Sequence, residues 1–89
     1  MIDFAESSSF KRAYKRFIKG NPDLEATFRE RLTLFVNNPY EPSLNTHKLG
    51  GRMRHQWAFS LTYKLRIVFT FTRPNFAMLE DIGTHDQVY

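Results

Sequence analysis

The sequence predicts an α+β domain in which two helices precede a set of antiparallel strands. Three observations carry this reading. Apolar residues recur at helical spacing before residue 37, the period falls to two after Lys48, and Gly, Asn and Pro clusters separate the segments. At 89 residues and 10.6 kDa, with no internal repeat or linker, residues 1–89 form one domain with one core. Nine Phe, four Tyr and one Trp supply the bulk of that core, and 42% hydrophobic content argues against disorder.

Residues 2–5 read as a short strand, a candidate edge of the sheet. Ser7, Ser8 and Ser9 offer N-caps for a helix over residues 10–19. Phe10, Tyr14, Phe17 and Ile18 form its apolar stripe, while Lys11, Arg12, Lys15, Arg16 and Lys19 fall largely outside it. Gly20 ends this helix. Asn21, Pro22 and Asp23 then supply a cap, a first-turn proline and an acid suited to the next helix dipole. Leu24, Phe28, Leu32, Phe35 and Val36 make the second stripe, and residues 37–42 (NNPYEP) terminate it, so the two helices form an antiparallel hairpin. Trp57, Phe59 and Leu61 alternate with Gln56, Ala58 and Ser60. Leu65, Ile67, Phe69 and Phe71 alternate with Lys64, Arg66, Val68 and Thr70. Arg73, Pro74 and Asn75 turn the chain into a last strand around residues 76–82. The helices should cover one face of the sheet, with Leu65, Ile67, Phe69 and Phe71 beneath them and Lys64 and Arg66 projecting from an open opposite face.

Composition narrows the function. The chain has no Cys, which excludes a disulfide framework, a thiolate nucleophile and a zinc ribbon. Its first residues carry acids where a signal peptide needs bases, and no long apolar run follows, so a cytoplasmic location is expected and a membrane is not. A net charge of +4 and a pI near 9.7 favour an anionic partner. The charge is also segregated. Residues 42–79 contain no carboxylate side chain yet hold Lys48, Arg52, Arg54, Lys64, Arg66 and Arg73, with His47 and His55 among them. Asp81, His85 and Asp86 lie too close together to supply a full ligand set, and Gly50-Gly51 lacks a phosphate-loop context, so neither metal nor cofactor is expected.

Four motifs stand out: His47-Lys48-Leu49-Gly50-Gly51, Trp57-Ala58-Phe59-Ser60, Tyr63-Lys64-Leu65-Arg66-Ile67-Val68-Phe69, and the terminal Asp81-Ile82-Gly83-Thr84-His85-Asp86-Gln87-Val88-Tyr89. In this order, behind two helices, they resemble the RelE/ParE toxin superfamily and its YafQ-like branch. The resemblance implies a RelE-like sheet and a toxin of a type II toxin–antitoxin pair, a ribosome-dependent endoribonuclease that cuts mRNA without metal. It implies a cognate acidic antitoxin, the ribosome and mRNA as partners. By motif match it implies His47, His85 and Tyr89 as residues of the cleaving site and Arg66 as the strand arginine facing RNA. The chain departs from the YafQ pattern at Lys64, where an acid is common, and at Ser60, where a second motif histidine stands.

The residue types suit that chemistry. Cleavage needs a base for the 2′-hydroxyl proton, an acid for the departing 5′-oxygen and cations for the crowded phosphate. Imidazole, with an ordinary pKa of ~6.5, serves either proton role. His85 is the first candidate; an isolated His after Gly-Thr would otherwise read as a strand cap. Arg66 suits the phosphate, and Tyr89 a stacked base or the core edge. Lys48, Arg52, Arg54, His55 and Lys64 are the candidate RNA contacts, against the plainer reading of a solvated surface. Trp57 reads as core. Two other functions stay open: a ParE-like gyrase inhibitor, against which the two motif histidines argue, and a nontoxic basic interaction module, for which Lys64 and Ser60 argue.

Overall fold

The computed structural model describes residues 1–88; Tyr89 lies outside the described residues. Strand β1 (Asp3–Glu6) leads into helices α1 (Ser8–Phe17) and α2 (Pro22–Asn37). Strands β2 (His47–Lys48), β3 (Trp57–Ser60), β4 (Leu65–Arg73) and β5 (Phe76–Thr84) follow, and a single turn of helix, α3 (His85–Val88), comes after β5.

Ser7 starts α1 two residues before the predicted Phe10, because its hydroxyl accepts the N–H of Phe10 at 3.0 Å while donating to the carbonyl of Glu80 at 3.1 Å. One side chain thus caps the helix and ties it to β5. Gly20 follows α1 with a φ of +86°, a conformation that glycine adopts without a Cβ penalty. Asn21 caps α2 by accepting from Leu24 at 3.2 Å, with Pro22 in the first turn as expected. Phe28 joins the two helices through Phe10 and Tyr14, with ring centroids 6.0 and 5.3 Å apart. Farther along α2, Phe35 stacks on Phe59 at 4.6 Å and meets Phe69 edge-on at 4.8 Å, which seats the helix on the sheet.

The five strands lie in the order β1-β5-β4-β3-β2. The expected edge strand exists, one residue later than predicted, since Ile2 turns into the core and donates its N–H to the carbonyl of Val36. It pairs parallel to β5, so the sheet is mixed; the other three pairings are antiparallel. Between β4 and β5, Arg73 pairs with Phe76 across Pro74 and Asn75, and Asn75 takes the left-handed φ of 64° that the turn requires.

Ile67 and Phe69 are wholly buried under the helices, and Leu65 and Phe71 pack partly buried at the margin, as the alternation predicts. Trp57 packs against this core too. The other face differs from expectation in two ways. It is not open, because Leu49 and Met53 from the β2–β3 connection cover Ala58 and Val68 and form a second apolar cluster. Arg66 does lie on this face, opposite Gly83, but it is only 6% exposed. Lys64 precedes β4 rather than belonging to it, and occupies the turn that folds back over Arg66.

The β4–β5 ladder is irregular at two places. Val68 pairs with Asp81 but Phe69 with Leu79, leaving Glu80 as an extra residue; a second shift falls between Phe71 and Arg73.

Candidate functional site

Residues paired across neighbouring strands share a face of the sheet. One row on the face away from the helices runs His47, Ala58, Val68, Asp81 across β2, β3, β4 and β5. The next row runs Ser60, Arg66, Gly83. One step beyond it the N–H of His85 donates to the carbonyl of Lys64 at 2.8 Å, which fixes the start of α3 against the β3–β4 turn.

That turn organises the candidate site. Arg66 Nη1 donates to the carbonyls of Thr62, Tyr63 and Leu65 at 2.6, 2.7 and 3.2 Å, so the guanidinium position is set by backbone. Thr62 closes the turn from inside, its hydroxyl accepting the N–H of Leu65 at 3.1 Å. Tyr63 and Lys64 point outward, and with Thr84, His85 and Asp86 they line an open depression of about 410 Å³. His85 is half exposed there, and its Nδ1 lies 3.8 Å from an Asp86 carboxylate oxygen. Arg66, Lys64 and His85 are therefore brought together by one four-residue turn.

His47 enters the same face from the sheet's far edge, with β3 and β4 between its strand and β5, which leads into His85. Its Nδ1 lies 2.9 Å from the carbonyl of Asn45. A carbonyl only accepts, so Nδ1 bears the proton and Nε2 is the basic nitrogen of the neutral ring. Asn45 holds this contact from a left-handed φ of 53° at the end of the turn Pro42–Leu44.

The candidate RNA contacts divide by face. Arg52, Arg54 and His55 are exposed in the β2–β3 connection beside the Leu49 and Met53 cover. Lys48 is exposed but pairs with Trp57, which places it on the helix side, away from His47 and Arg66. Tyr89, named with the cleaving residues, lies outside the described residues. No three His, Cys, Asp or Glu among the described residues come together as metal ligands.

Sequence reasoning passed over a second cleft on this face, of about 340 Å³, where Arg16 from α1 meets Gln56, Val68 and Asp81. These residues are remote in sequence; the single local signal was the acid pair Glu80-Asp81, directly after the acid-free segment.

No protein-family model matches the chain, and no curated protein matches it. Solved structures do. YafQ from Escherichia coli strain BL21(DE3) superposes with a TM-score of 0.77 at 19% identity, covering 100% of this chain and 99% of that one. A YoeB/ParE toxin from Agrobacterium tumefaciens gives 0.76 at 13% identity, covering 94% and 99%. A metal-bound toxin from Helicobacter pylori gives 0.73 at 22% identity, covering all of both chains. YafQ has also been crystallised with DinJ as a toxin–antitoxin complex, and that YafQ chain matches at 0.75 and 19% identity. Identities this low speak for architecture alone: from end to end, this chain has the fold of the RelE/ParE-superfamily toxins that YafQ and YoeB/ParE represent.

Proposed function

We propose that the protein is a metal-independent endoribonuclease that cuts mRNA on the ribosome, in the cytoplasm, as the toxin of a type II toxin–antitoxin pair. The observation that carries this reading is the turn over residues 62–65. Its carbonyls fix the Arg66 guanidinium, it displays Lys64, and it receives the backbone of His85, and Lys64 and His85 line the open depression beside it.

In this reading a 2′-hydroxyl loses its proton to a base, its oxygen forms a bond to phosphorus, and the bond from phosphorus to the 5′-oxygen breaks as that oxygen gains a proton. The products are a 2′,3′-cyclic phosphate and a 5′-hydroxyl. His85 exchanges a proton at the scissile phosphate. Arg66 and Lys64 stabilise the charge growing on the phosphate oxygens; the backbone tether of Arg66 means that it is already oriented when the substrate arrives. His47 and Tyr89 assist or position the substrate. Lys48, Arg52, Arg54 and His55 contribute sequence-independent attraction to RNA. The acid-free segment of residues 42–79 supports this role, because it presents cations with no carboxylate of its own.

The same exposed charge favours masking by an acidic antitoxin, as the complex of YafQ with DinJ supports by analogy of fold. Purified protein added to a reconstituted translation system should produce codon-linked cuts in mRNA, and a co-expressed acidic neighbour should abolish them. Inhibition of gyrase supercoiling without mRNA cuts would replace this reading with the ParE-like one. Neither effect would leave a basic interaction module.

A further inference from the structure

Arg66 stands between two depressions along β4. On one side is the one lined by Lys64 and His85; on the other, one paired row away, is the cleft floored by Val68 and Asp81. A row is two residues, about 6.6 Å along a strand, a step that a neighbouring nucleotide spans.

The lining of the cleft is more polar than apolar. Asp81, Gln56 and Arg16 supply polar side chains, and Phe17, Met53 and Val68 supply the apolar part, Phe17 with an aromatic ring. Phosphate does not suit a site that holds a carboxylate, but a base does. The Asp81 carboxylate is oriented by its own backbone, with Oδ1 accepting the N–H of Ile82 at 2.8 Å. Each carboxylate oxygen has two lone pairs, so this contact fixes the group without exhausting it. An acceptor so placed selects a ligand with donors. Uracil offers one N–H, and adenine and cytosine offer one amino group. Guanine presents N1–H and an N2 amino group side by side, spaced for both carboxylate oxygens. Arg16, whose guanidinium lies 5.4 Å from the Phe17 ring centroid, stands at the cleft as a donor for the acceptor edge of the same base.

We infer that this cleft is a nucleobase subsite that selects guanine beside the cleaved phosphate. The position relative to cleavage rests on the nuclease reading; the recognition of guanine does not, and the two are measured apart.

The test titrates the whole ¹⁵N-labelled protein with guanosine, inosine and adenosine 5′-monophosphates and follows backbone amides. Guanosine monophosphate should move Gln56, Ile82 and Gly83, and inosine monophosphate, which differs by the absent amino group, should bind about tenfold more weakly. Asp81→Asn preserves shape and an acceptor for Ile82, so it should stay folded while the preference for guanine over inosine falls below twofold. Equal binding of the three nucleotides overturns the inference, as do shifts confined to Lys64 and His85, or a stronger response to arginine amide, which would make the cleft a socket for a partner protein's cation. In the translation assay, cuts without preference for an adjacent guanine would sink the subsite and leave the nuclease standing. Guanine-selective binding by a protein that cuts no mRNA would do the reverse.

Discussion

Replacing Arg66 by Ala should destabilise the fold as well as any activity, contrary to the expectation for an exposed strand arginine. Arg66 is 6% exposed, and its Nη1 donates to three carbonyls at 2.6, 2.7 and 3.2 Å. A hydrogen bond from a charged donor contributes about 1.5–3 kcal/mol, but bonds sharing one nitrogen do not add. The turn that carries two of the acceptors is partly solvated, so water replaces some of what is lost; Tyr63 is 88% exposed. About 1–3 kcal/mol is the net expectation. For a domain of this size each kcal/mol lowers Tm by about 4–8 °C, so the midpoint followed by circular dichroism should fall by roughly 5–20 °C. Arg66→Lys keeps the charge but not the position at which the guanidinium holds Nη1 among these carbonyls, and should recover only part of the loss. Lys64→Ala, at an exposed neighbour in the same turn, should stay within about ±0.5 kcal/mol. An Arg66→Ala midpoint within 2 °C, roughly the ±0.5 kcal/mol of an ordinary surface change, would refute the tether. A cleavage defect in that variant could then be assigned to chemistry directly; otherwise it must be measured well below the lowered Tm.

His85→Ala should slow mRNA cleavage by about 10²–10⁴-fold with Tm unchanged, since the side chain is half exposed; normal cutting would reduce His85 to a structural residue, and loss of ribosome binding would make it a recognition residue. Phe69→Ala removes a ring that meets Phe35 at 4.8 Å and Phe71 at 5.1 Å, and should cost about 3–5 kcal/mol in urea denaturation; a loss under about 1 kcal/mol would contradict its place in the core. Ser7→Ala takes away both the cap on Phe10 and the bond to Glu80, and should cost about 0.5–2 kcal/mol, with faster amide exchange in the first turn of α1 as its local signature.

The elements legible in the sequence are those whose signals are local. Asn21-Pro22 starts α2 by its own chemistry, and the alternation from Leu65 to Phe71 marks β4 without reference to any partner. Strand β2 escaped because two residues, His47 and Lys48, carry no period; only pairing with Ala58 and Trp57 makes them a strand. That pairing also assigns Lys48 to the helix side, which the acid-free run of cations could not reveal. Alternation correctly put Arg66 on the face away from Ile67, but which atoms cover a face depends on connections. The turn over residues 62–65 and the loop bearing Leu49 and Met53 close what the pattern left open. The cleft with Asp81 was invisible for the same reason, since Arg16, Gln56 and Asp81 meet only after α1, the β2–β3 connection and β5 are assembled.

The bulge at Glu80 decides which side chains belong to the site. Ala77, Leu79 and Ile82 are all in the buried core, yet strict alternation from Ala77 would send Leu79 inward, Ile82 outward and Asp81 beneath the helices. The extra residue reverses that parity between Leu79 and Asp81. Ile82 can then remain in the core while Asp81 joins the row of Val68 and Gly83 joins that of Arg66, and the chain leaves β5 at the carbonyl of Lys64 with His85 next. The irregularity is anchored from outside the ladder, because the carbonyl of Glu80 accepts the Ser7 hydroxyl that caps α1. The helix start, the strand parity and the placement of Asp81 and His85 on one face are thereby parts of a single connected set of contacts.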